Sequence, residues 1–381
     1  MAIYFDYNAT TPLDPDVRAA MAPFLGGNFG NPSSVHQIGR AARAALDDAH
    51  DRVATRWRCK PSEVVFTSGG TESNNLAIFG AARLLRNRGR HLITSLIEHH
   101  AVLNCFEYLE RQEGFAVTYL PVDREGRIDP DDLKRALRPD TILVSLMAAN
   151  NEVGTIEPVA ELGRICHARG VVFHTDAVQW FGKEPVATIH QFEADLVSCC
   201  AHKFHGPKGA GVLFIRSPLQ PTPILFGGGH EHERRAGTEN LAAIAGCVVA
   251  LERFLSPPVF APCARANLWA PIREALAALP SCSLVSPLEG VLSNTLSFAV
   301  DKTDGLTLLA NLDLAGFCAS SGSACSAGSL NPSHVLRAMG YPPHLAASLV
   351  RLSLGRESTL AQTAHLSAAL PNIIRCSQTP D

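Results

Sequence analysis

Residues 171–179 read Val-Val-Phe-His-Thr-Asp-Ala-Val-Gln, an apolar run followed at once by polar residues. Short apolar runs of this kind recur up to about residue 255, with helix-like stretches between most of them, including a long one over 33–57. Strands that are apolar throughout are buried on both faces, as in a largely parallel sheet covered by helices. The predicted strands are 64–66, 91–94, 116–120, 141–146, 171–174, 195–198 and 211–215.

The pattern changes after Leu255. Ser256-Pro257-Pro258 through Pro262 indicates a linker, and the residues beyond it predict an α+β arrangement. We therefore expect a large domain over residues 15–255, which begins at the helix-start signal Asp14-Pro15. A smaller domain is expected from residues 1–14 and 256–381. Its predicted elements are a helix at 264–279, a strand at 294–300, a helix at 306–314, a polar loop at 320–329 and a strand at 350–354.

Composition excludes several classes of protein. The chain has 381 residues, of which 46% are hydrophobic and 18% charged, so it can bury a large core and is not a disordered chain. Its net charge of -3 gives no basic surface for nucleic acid. The 11 cysteines form no Cys-x-x-Cys pair, and their odd number indicates a reducing compartment. The sequence shows no signal peptide and no membrane-spanning apolar run, so we expect a cytoplasmic protein.

The stretch Thr67-Ser68-Gly69-Gly70-Thr71-Glu72 connects a predicted strand to a predicted helix. Glycines allow close approach to the backbone, and a helix N-terminus offers unpaired amides and a partial positive charge. The turn suits a phosphate, although an ordinary strand-to-helix turn has the same composition. It matches neither the Walker loop nor the dinucleotide fingerprint, which disfavours ATP and NAD.

Two further predicted strands are followed by residues whose side chains could take part in binding or catalysis. Asp176 follows the run at 171–174, where it either holds a ligand or caps a helix. Lys203 follows the run at 195–198 and precedes a Gly/Pro-rich turn, where it either forms a Schiff base or is a solvated loop residue. Together, a phosphate turn, a strand-end acid and a strand-end lysine are what a pyridoxal phosphate site requires, because the acid keeps the ring nitrogen protonated and the lysine binds the aldehyde.

The chain resembles the pyridoxal-phosphate-dependent cysteine desulfurases of the NifS/IscS type, in the class V aminotransferase group. The resemblance runs nearly from end to end. It implies an α/β fold of the fold-type I class, with a mostly parallel seven-stranded sheet between helices in the large domain and a smaller α+β domain that carries the catalytic cysteine loop. The matching stretches are residues 6–12, 30–34, 67–75, 98–99, 150–154, 176–179, 202–203, 206–209, 235–238, 320–325 and 351–356.

The resemblance implies a role for each site residue. Lys203 matches the lysine that binds the cofactor aldehyde, Asp176 the partner of the ring nitrogen, Gln179 the donor to the ring oxygen, and Asn151 a ring-side contact. His99 matches the histidine that stacks on the ring and assists proton transfer. The phosphate contacts it implies are Gly70, Thr71, Cys200, His202 and Thr238, the last from a partner subunit of a homodimer.

For the substrate, L-cysteine, the resemblance implies a carboxylate clamp by Arg351, with Asn8 and Ala9 lining the pocket beside Asn151. Cys325, in Ser320-Ser321-Gly322-Ser323-Ala324-Cys325, matches the nucleophile that takes up the sulfur as a persulfide. The implied reaction is L-cysteine to L-alanine, with the sulfur passed to an acceptor protein. The acceptor's pathway stays open among iron–sulfur cluster assembly, tRNA or cofactor thiolation and DNA sulfur modification.

Position 200 departs from the family pattern, because the chain has Cys where the family usually has Ser. One phosphate hydroxyl contact is then either missing or replaced by a weaker thiol. A selenocysteine lyase, another class V aminotransferase, and a scaffold that has kept only the fold are the alternatives. Cys325 argues against a plain aminotransferase, which needs no thiol. The intact Lys203, His99 and Asp176 argue against a scaffold. We expect no metal at the Gly/His run 227–233, no membrane contact and no direct nucleic-acid binding.

Overall fold

The computed structural model describes residues 2–259, 262–322 and 331–378. The predicted nucleophile Cys325 and most of the predicted loop at 320–329 lie outside these residues. The strands are β1 (Ile3–Tyr4), β2 (Val64–Thr67), β3 (His91–Ser95), β4 (Ala116–Leu120), β5 (Thr141–Ser145), β6 (Val172–Asp176), β7 (Leu196–Cys200), β8 (Gly211–Ile215), β9 (Cys282–Leu284), β10 (Thr295–Val300), β11 (Phe317–Cys318) and β12 (Val350–Ser353).

Helices occur between these strands along the chain and after the last of them. They are α1 (Pro15–Met21), α2 (Gln37–Trp57), α3 (Gly70–Leu85), α4 (His100–Glu113), α5 (Pro130–Ala136), α6 (Val159–His167), α7 (Leu241–Phe254), α8 (Pro262–Ala277), α9 (Gly305–Leu314), α10 (His334–Ala338), α11 (Pro343–Ala347) and α12 (Leu360–Ser377). None of the helices in the described ranges is long and apolar enough to cross a membrane.

The central sheet has seven strands in the order β2-β8-β7-β6-β5-β3-β4. Its neighbours are parallel except at β8, which runs antiparallel to both β2 and β7. The short connection over 201–210 explains this exception, because a parallel return needs a longer crossover. The predicted mostly parallel seven-stranded sheet is confirmed.

Both faces of the sheet are covered by helices. Val144 belongs to one apolar cluster, with Trp57 of α2 and Leu251 of α7, whereas the adjacent Leu143 belongs to a second cluster with Phe106 of α4. Successive residues of a strand point to opposite faces, so these two clusters lie on the two sides of the sheet. Burial on both sides explains why the strands are apolar throughout.

The C-terminal part contains the antiparallel sheet β12-β10-β9, which packs on α8, α9 and α12 around a third apolar cluster. Strand β1 pairs in parallel with β11, so that Ile3 lies opposite Phe317. The N-terminal residues are therefore attached to the C-terminal part of the chain. This pairing, like the short strand β9, has too few residues to leave a pattern in the sequence.

Some boundaries differ from those predicted. Helix α2 begins at Gln37 rather than at residue 33, because His36 is its N-cap and accepts a hydrogen bond from the Gly39 amide. Strands β6 and β7 reach Asp176 and Cys200, two residues further than predicted. The polar residues at these ends stay in the ladder, so their side chains are held by the sheet itself.

Candidate active site

Lys203 ends a short 3₁₀ turn (Ala201–Lys203) that follows β7. Its Nζ donates hydrogen bonds to the backbone carbonyl oxygens of Asn8 and Ala9, at 2.8 and 2.9 Å. Burial lowers the pKa of the Lys203 ammonium, because the charged form loses its hydration. A depressed pKa leaves more of the amine neutral, and the neutral amine is the nucleophile that forms a Schiff base.

Lys203 lies in a cavity of about 250 Å³ at the carboxyl ends of β6 and β7. The cavity brings together most residues that the sequence singled out, from seven separate parts of the chain. Those lining it are Asn8, Ala9, Gly70, Thr71, His99, Asn151, Asp176, Gln179, Cys200, His202, Lys203 and Arg351. It is also lined by Asn74, Met147, Ala149 and Val178, for which the sequence predicts no role.

Asp176 is the last residue of β6 and is 5% exposed. Its Oδ2 accepts a hydrogen bond of 2.6 Å from Asn74 Nδ2, and its Oδ1 accepts one of 3.0 Å from the Val178 amide. These two donors fix the carboxylate and leave lone pairs for a third donor, since an ionised carboxylate has about four acceptor sites. Asn74 lies one helical turn after Gly70 on α3, a spacing that could have indicated its place.

His99 is the N-cap of α4, and its Nδ1 accepts a hydrogen bond of 3.1 Å from the Ala101 amide. A neutral imidazole that accepts at Nδ1 carries its proton on Nε2. Burial lowers the pKa of His99, so the ring is held in this neutral form. The capping contact therefore fixes both the tautomer and the position of the ring.

The turn before α3 allows other groups to approach its backbone closely. Gly69 has φ of +154°, a conformation that favours glycine, and a Cβ at Gly70 would lie 2.8 Å from Val178 Cγ2. The N-cap of this 16-residue helix is Gly69, which has no side chain to cap the first amides. Its first amides are therefore placed to bind an anion.

His202 and Cys200 border the same end of the cavity. His202 Nδ1 lies 3.1 Å from Thr10 Oγ1, and burial lowers the pKa of His202 to about 4. The ring is neutral at pH 7, so any contact to an anion is a hydrogen bond rather than an ion pair. Burial raises the pKa of the Cys200 thiol, which likewise stays neutral.

Arg351, on β12, is 1% exposed and lines the cavity. Its Nη1 donates to the Asn151 carbonyl oxygen at 2.9 Å, and its Nη2 lies 2.6 Å from Asp6 Oδ1. Arg356 is placed differently, because it pairs with Asp14 at 2.7 Å and does not line the cavity. Arg351 is thus the arginine positioned to bind an anionic ligand here.

Of the predicted site residues that the structure describes, Thr238 does not line this cavity. Thr238 lines a separate cavity of about 160 Å³ together with Thr67, Ser68 and Arg235. Cys325 lies outside the described residues.

In the Gly/His run 227–233, the Glu231 carboxylate accepts a hydrogen bond of 3.0 Å from His50 Nε2. No group of three potential metal ligands occurs within the described residues.

Comparisons with known proteins identify the family of the chain. The family described as Aminotransferase class-V matches residues 3–366. The cysteine desulfurase IscS of Dictyoglomus turgidum is 46% identical over 380 residues, which cover 99% of this chain and 95% of the relative.

Solved structures agree as well. A NifS-like protein superimposes with a TM-score of 0.90 and 36% identity, covering 99% of this chain and all of the other. SspA in complex with cysteine superimposes with a TM-score of 0.82 and 36% identity, covering 93% of this chain and 99% of the other. The chain therefore belongs to the class-V aminotransferase family. Within that family it groups with the cysteine desulfurases of the NifS and IscS type.

Proposed function

We propose that this chain is a pyridoxal-phosphate-dependent cysteine desulfurase that converts L-cysteine to L-alanine and transfers the sulfur to Cys325. The observation that carries the proposal is the position of Lys203, whose desolvated Nζ shares one cavity with Asp176, His99 and Arg351. The relatives named cysteine desulfurase, and a solved neighbour bound to cysteine, support L-cysteine as the substrate.

The residues present fit pyridoxal phosphate. Lys203 would bind its aldehyde, Asp176 its ring nitrogen, and the N-terminus of α3, where the N-cap is a glycine, its phosphate. Asn74 Oδ1, buried and without a hydrogen-bond partner among the described residues, leaves a further acceptor at the edge of this site. When bound, the cofactor supplies an electron sink that stabilises negative charge at the substrate Cα.

The chain's own residues divide the remaining tasks. Arg351 orients the substrate by its carboxylate, since a guanidinium can bind both oxygens. Lys203 removes the proton from Cα, and the neutral His99 assists proton transfer. The carboxyl group of Asp176 is held in place at the end of β6 by Asn74 and the Val178 amide.

The sulfur step balances without an external oxidant. The Cys325 thiolate attacks the substrate sulfur, a bond forms between the two sulfur atoms, and the bond between Cβ and sulfur breaks. The sulfur is oxidised to the sulfane level while Cβ is reduced, so L-cysteine and the enzyme thiol give L-alanine and an enzyme persulfide. The persulfide then passes its sulfur to an acceptor protein.

The proposal includes a homodimer. Phe226 is 87% exposed and Leu225 is 42% exposed, an apolar surface that a second copy could cover. Thr238 lies outside the cavity of its own chain, which supports its assignment to the partner's phosphate site. We also propose the division into a large domain, 15–255, and a small domain, 1–14 and 256–381.

We further propose a cytoplasmic location, which the unpaired thiols of the described cysteines support.

The test is to incubate the purified protein, loaded with pyridoxal phosphate, with L-cysteine and to measure alanine and protein-bound persulfide. Before a reductant is added, we expect one equivalent of each per active site. With a thiol reductant present, alanine formation should continue over many turnovers. Formation of pyruvate or of a transaminated product without persulfide would contradict the proposal and favour a lyase or a plain aminotransferase.

A further inference from the structure

A second lysine, Lys183, lies directly behind the cavity wall and has no role in the function proposed above. It is 0% exposed and is one of the largest fully buried side chains. A lysine is seldom buried so completely unless its ammonium is held by specific acceptors. Lys183 does not line the cavity itself, so its charge acts on the site through neighbouring residues.

Two site residues accept hydrogen bonds from Lys183. Its Nζ donates to the side-chain oxygen of Asn8, Oδ1, at 2.9 Å, and to the side-chain oxygen of Gln179, Oε1. Both acceptors are neutral and both are 5% exposed or less. The ammonium also lies close enough to His202 to help lower the pKa of that ring. The Nζ of Lys183 is therefore held in a fixed position at the wall of the cavity.

The contact with Gln179 determines which way its amide faces. A glutamine amide has nearly the same shape in either orientation, so its hydrogen-bond partners decide where the oxygen lies. An ammonium can only donate, and Lys183 therefore holds Oε1 on its own side. Nε2 is turned the other way, where it donates to the Asn8 carbonyl oxygen at 3.1 Å and keeps a second N–H.

The contact with Asn8 fixes the segment that holds Lys203. The Asn8 side chain is fully engaged, since Oδ1 also accepts from Asn294 at 3.0 Å and Nδ2 donates to Thr295 Oγ1 at 2.9 Å. Its carbonyl oxygen in turn accepts from Lys203 Nζ. The chain of contacts runs from Lys183 through Asn8 to Lys203.

The position of Lys183 is itself enforced by packing. Gly182 has φ of +77°, and a Cβ there would lie 2.3 Å from Phe204 Cβ. Only glycine permits this close approach, which brings residue 183 up against the strand end that carries Lys203.

We infer that Lys183 is a positioning residue for the cofactor site. It locks the Gln179 amide with its NH₂ group toward the cavity and holds the Asn8 carbonyl against Lys203. The inference rests on the proposed function, because the ligand that meets the Gln179 donor is the ring oxygen of pyridoxal phosphate. Without Lys183 only the Asn8 carbonyl oxygen directs the amide. A flipped amide would present its oxygen to the ligand, which places two acceptors face to face.

The experiment measures the binding of pyridoxal phosphate by equilibrium dialysis in the unmodified protein, Lys183→Met, Gln179→Ala and the double variant. Lys183→Met should weaken binding about tenfold, as expected for a lost charge-assisted contact and a misoriented donor. The double variant should bind no more weakly than Gln179→Ala, because residues that act through one another are not additive. Lys134→Met, at an exposed lysine paired with Asp131, is the matched control and should change nothing.

A second readout separates positioning from mere packing. The pH midpoint of the visible absorbance of the bound cofactor should move in Lys183→Met, whereas a packing role would lower only the unfolding temperature of the cofactor-free protein. If Lys183→Met does not fold, Lys183→Gln replaces it, since a neutral amide can donate but no longer fixes the direction of Gln179. Unchanged affinity and midpoint in a folded variant would overturn the inference alone. Failure of the unmodified protein to bind pyridoxal phosphate would overturn the proposed function and the inference with it.

Discussion

Arg351 Nη2 lies 2.6 Å from Asp6 Oδ1, so the guanidinium placed to bind the substrate carboxylate already holds a carboxylate of its own chain. Both side chains are largely buried, at 2% and 18% exposure. The Nε of Arg351 has no hydrogen-bond partner within the described residues and remains available. Asp6 therefore orients the guanidinium and partly neutralises it before a ligand arrives.

Replacing Asp6 by Asn should lower the KM for L-cysteine about three- to tenfold, because the substrate carboxylate no longer shares Arg351 with a second negative charge. The asparagine oxygen can still accept from Nη2, so the guanidinium stays oriented. Steady-state kinetics give KM and kcat separately. A rise in KM at unchanged kcat would show that the negative charge of Asp6 is needed to bind the substrate, and would contradict the prediction.

Truncating Arg351 to Ala should raise the KM for L-cysteine by a large factor, since removing one partner of a buried charge pair commonly costs roughly 2–5 kcal/mol. The matched variant is Arg356→Ala. Arg356 pairs with Asp14 away from the cavity, so KM should change little even if the protein is somewhat less stable. Saturation curves for both variants decide the assignment. A larger KM change in Arg356→Ala than in Arg351→Ala would reverse it.

Lys203→Ala should abolish covalent attachment of pyridoxal phosphate and all turnover, because it removes the buried amine held by the Asn8 and Ala9 carbonyls. Borohydride reduction followed by mass spectrometry of peptides locates the attachment. The exposed Lys208, five residues further on, is the control, and Lys208→Ala should keep the adduct at Lys203. An adduct found at another lysine in the unmodified protein would show that the site is assigned wrongly.

Glu98, next to His99, gives a prediction about stability. Burial raises the pKa of its carboxyl from 4.5 to about 8, so the folded protein keeps it neutral at pH 7. An acid whose pKa is raised on folding stabilises the native state below the unfolded pKa, and that stabilisation is lost as pH rises toward the folded pKa. The free energy of unfolding should therefore fall between about pH 4.5 and pH 8.

Glu98→Gln should remove that decline, since the amide oxygen can still accept from Ser95 and from the Met147 amide. Denaturant unfolding of the cofactor-free protein across this pH range gives the comparison. Glu110→Gln, at an exposed residue of the nearby helix α4, controls for the loss of one negative charge. The same pH dependence in Glu98→Gln and the unmodified protein would mean that Glu98 is not the group responsible.

The sequence was sufficient to predict the sheet, because strands buried on both faces are apolar throughout and stand out against the helices between them. It also placed Lys203, Asp176 and the Gly70 turn together, since they follow strands whose carboxyl ends meet at one edge. Local patterns could not find Asp6, Asn74 or Lys183. Their roles depend on contacts between distant segments, such as the pairing of β1 with β11, that leave no periodic signal.

The last prediction concerns the nucleophile and separates binding from sulfur transfer. Cys325→Ser should leave binding of the cofactor and of L-cysteine intact, because Cys325 matches neither the residues expected to hold the cofactor nor the carboxylate clamp Arg351. The absorbance change on addition of L-cysteine should persist. Persulfide and alanine should not form, since a serine oxygen is a poor nucleophile toward sulfur and cannot carry a persulfide.

The other cysteines make this a demanding test, and Cys318 is the rival nearest in sequence. Cys318 lies on β11 opposite Tyr4, and burial raises the pKa of its thiol, which disfavours the reactive thiolate. Cys318→Ser should therefore keep full activity and is the matched control. Mass spectrometry of peptides after one turnover locates the sulfur. Alanine and persulfide produced by Cys325→Ser at the parent rate would contradict the proposed mechanism, and activity lost only in Cys318→Ser would move the nucleophile to β11.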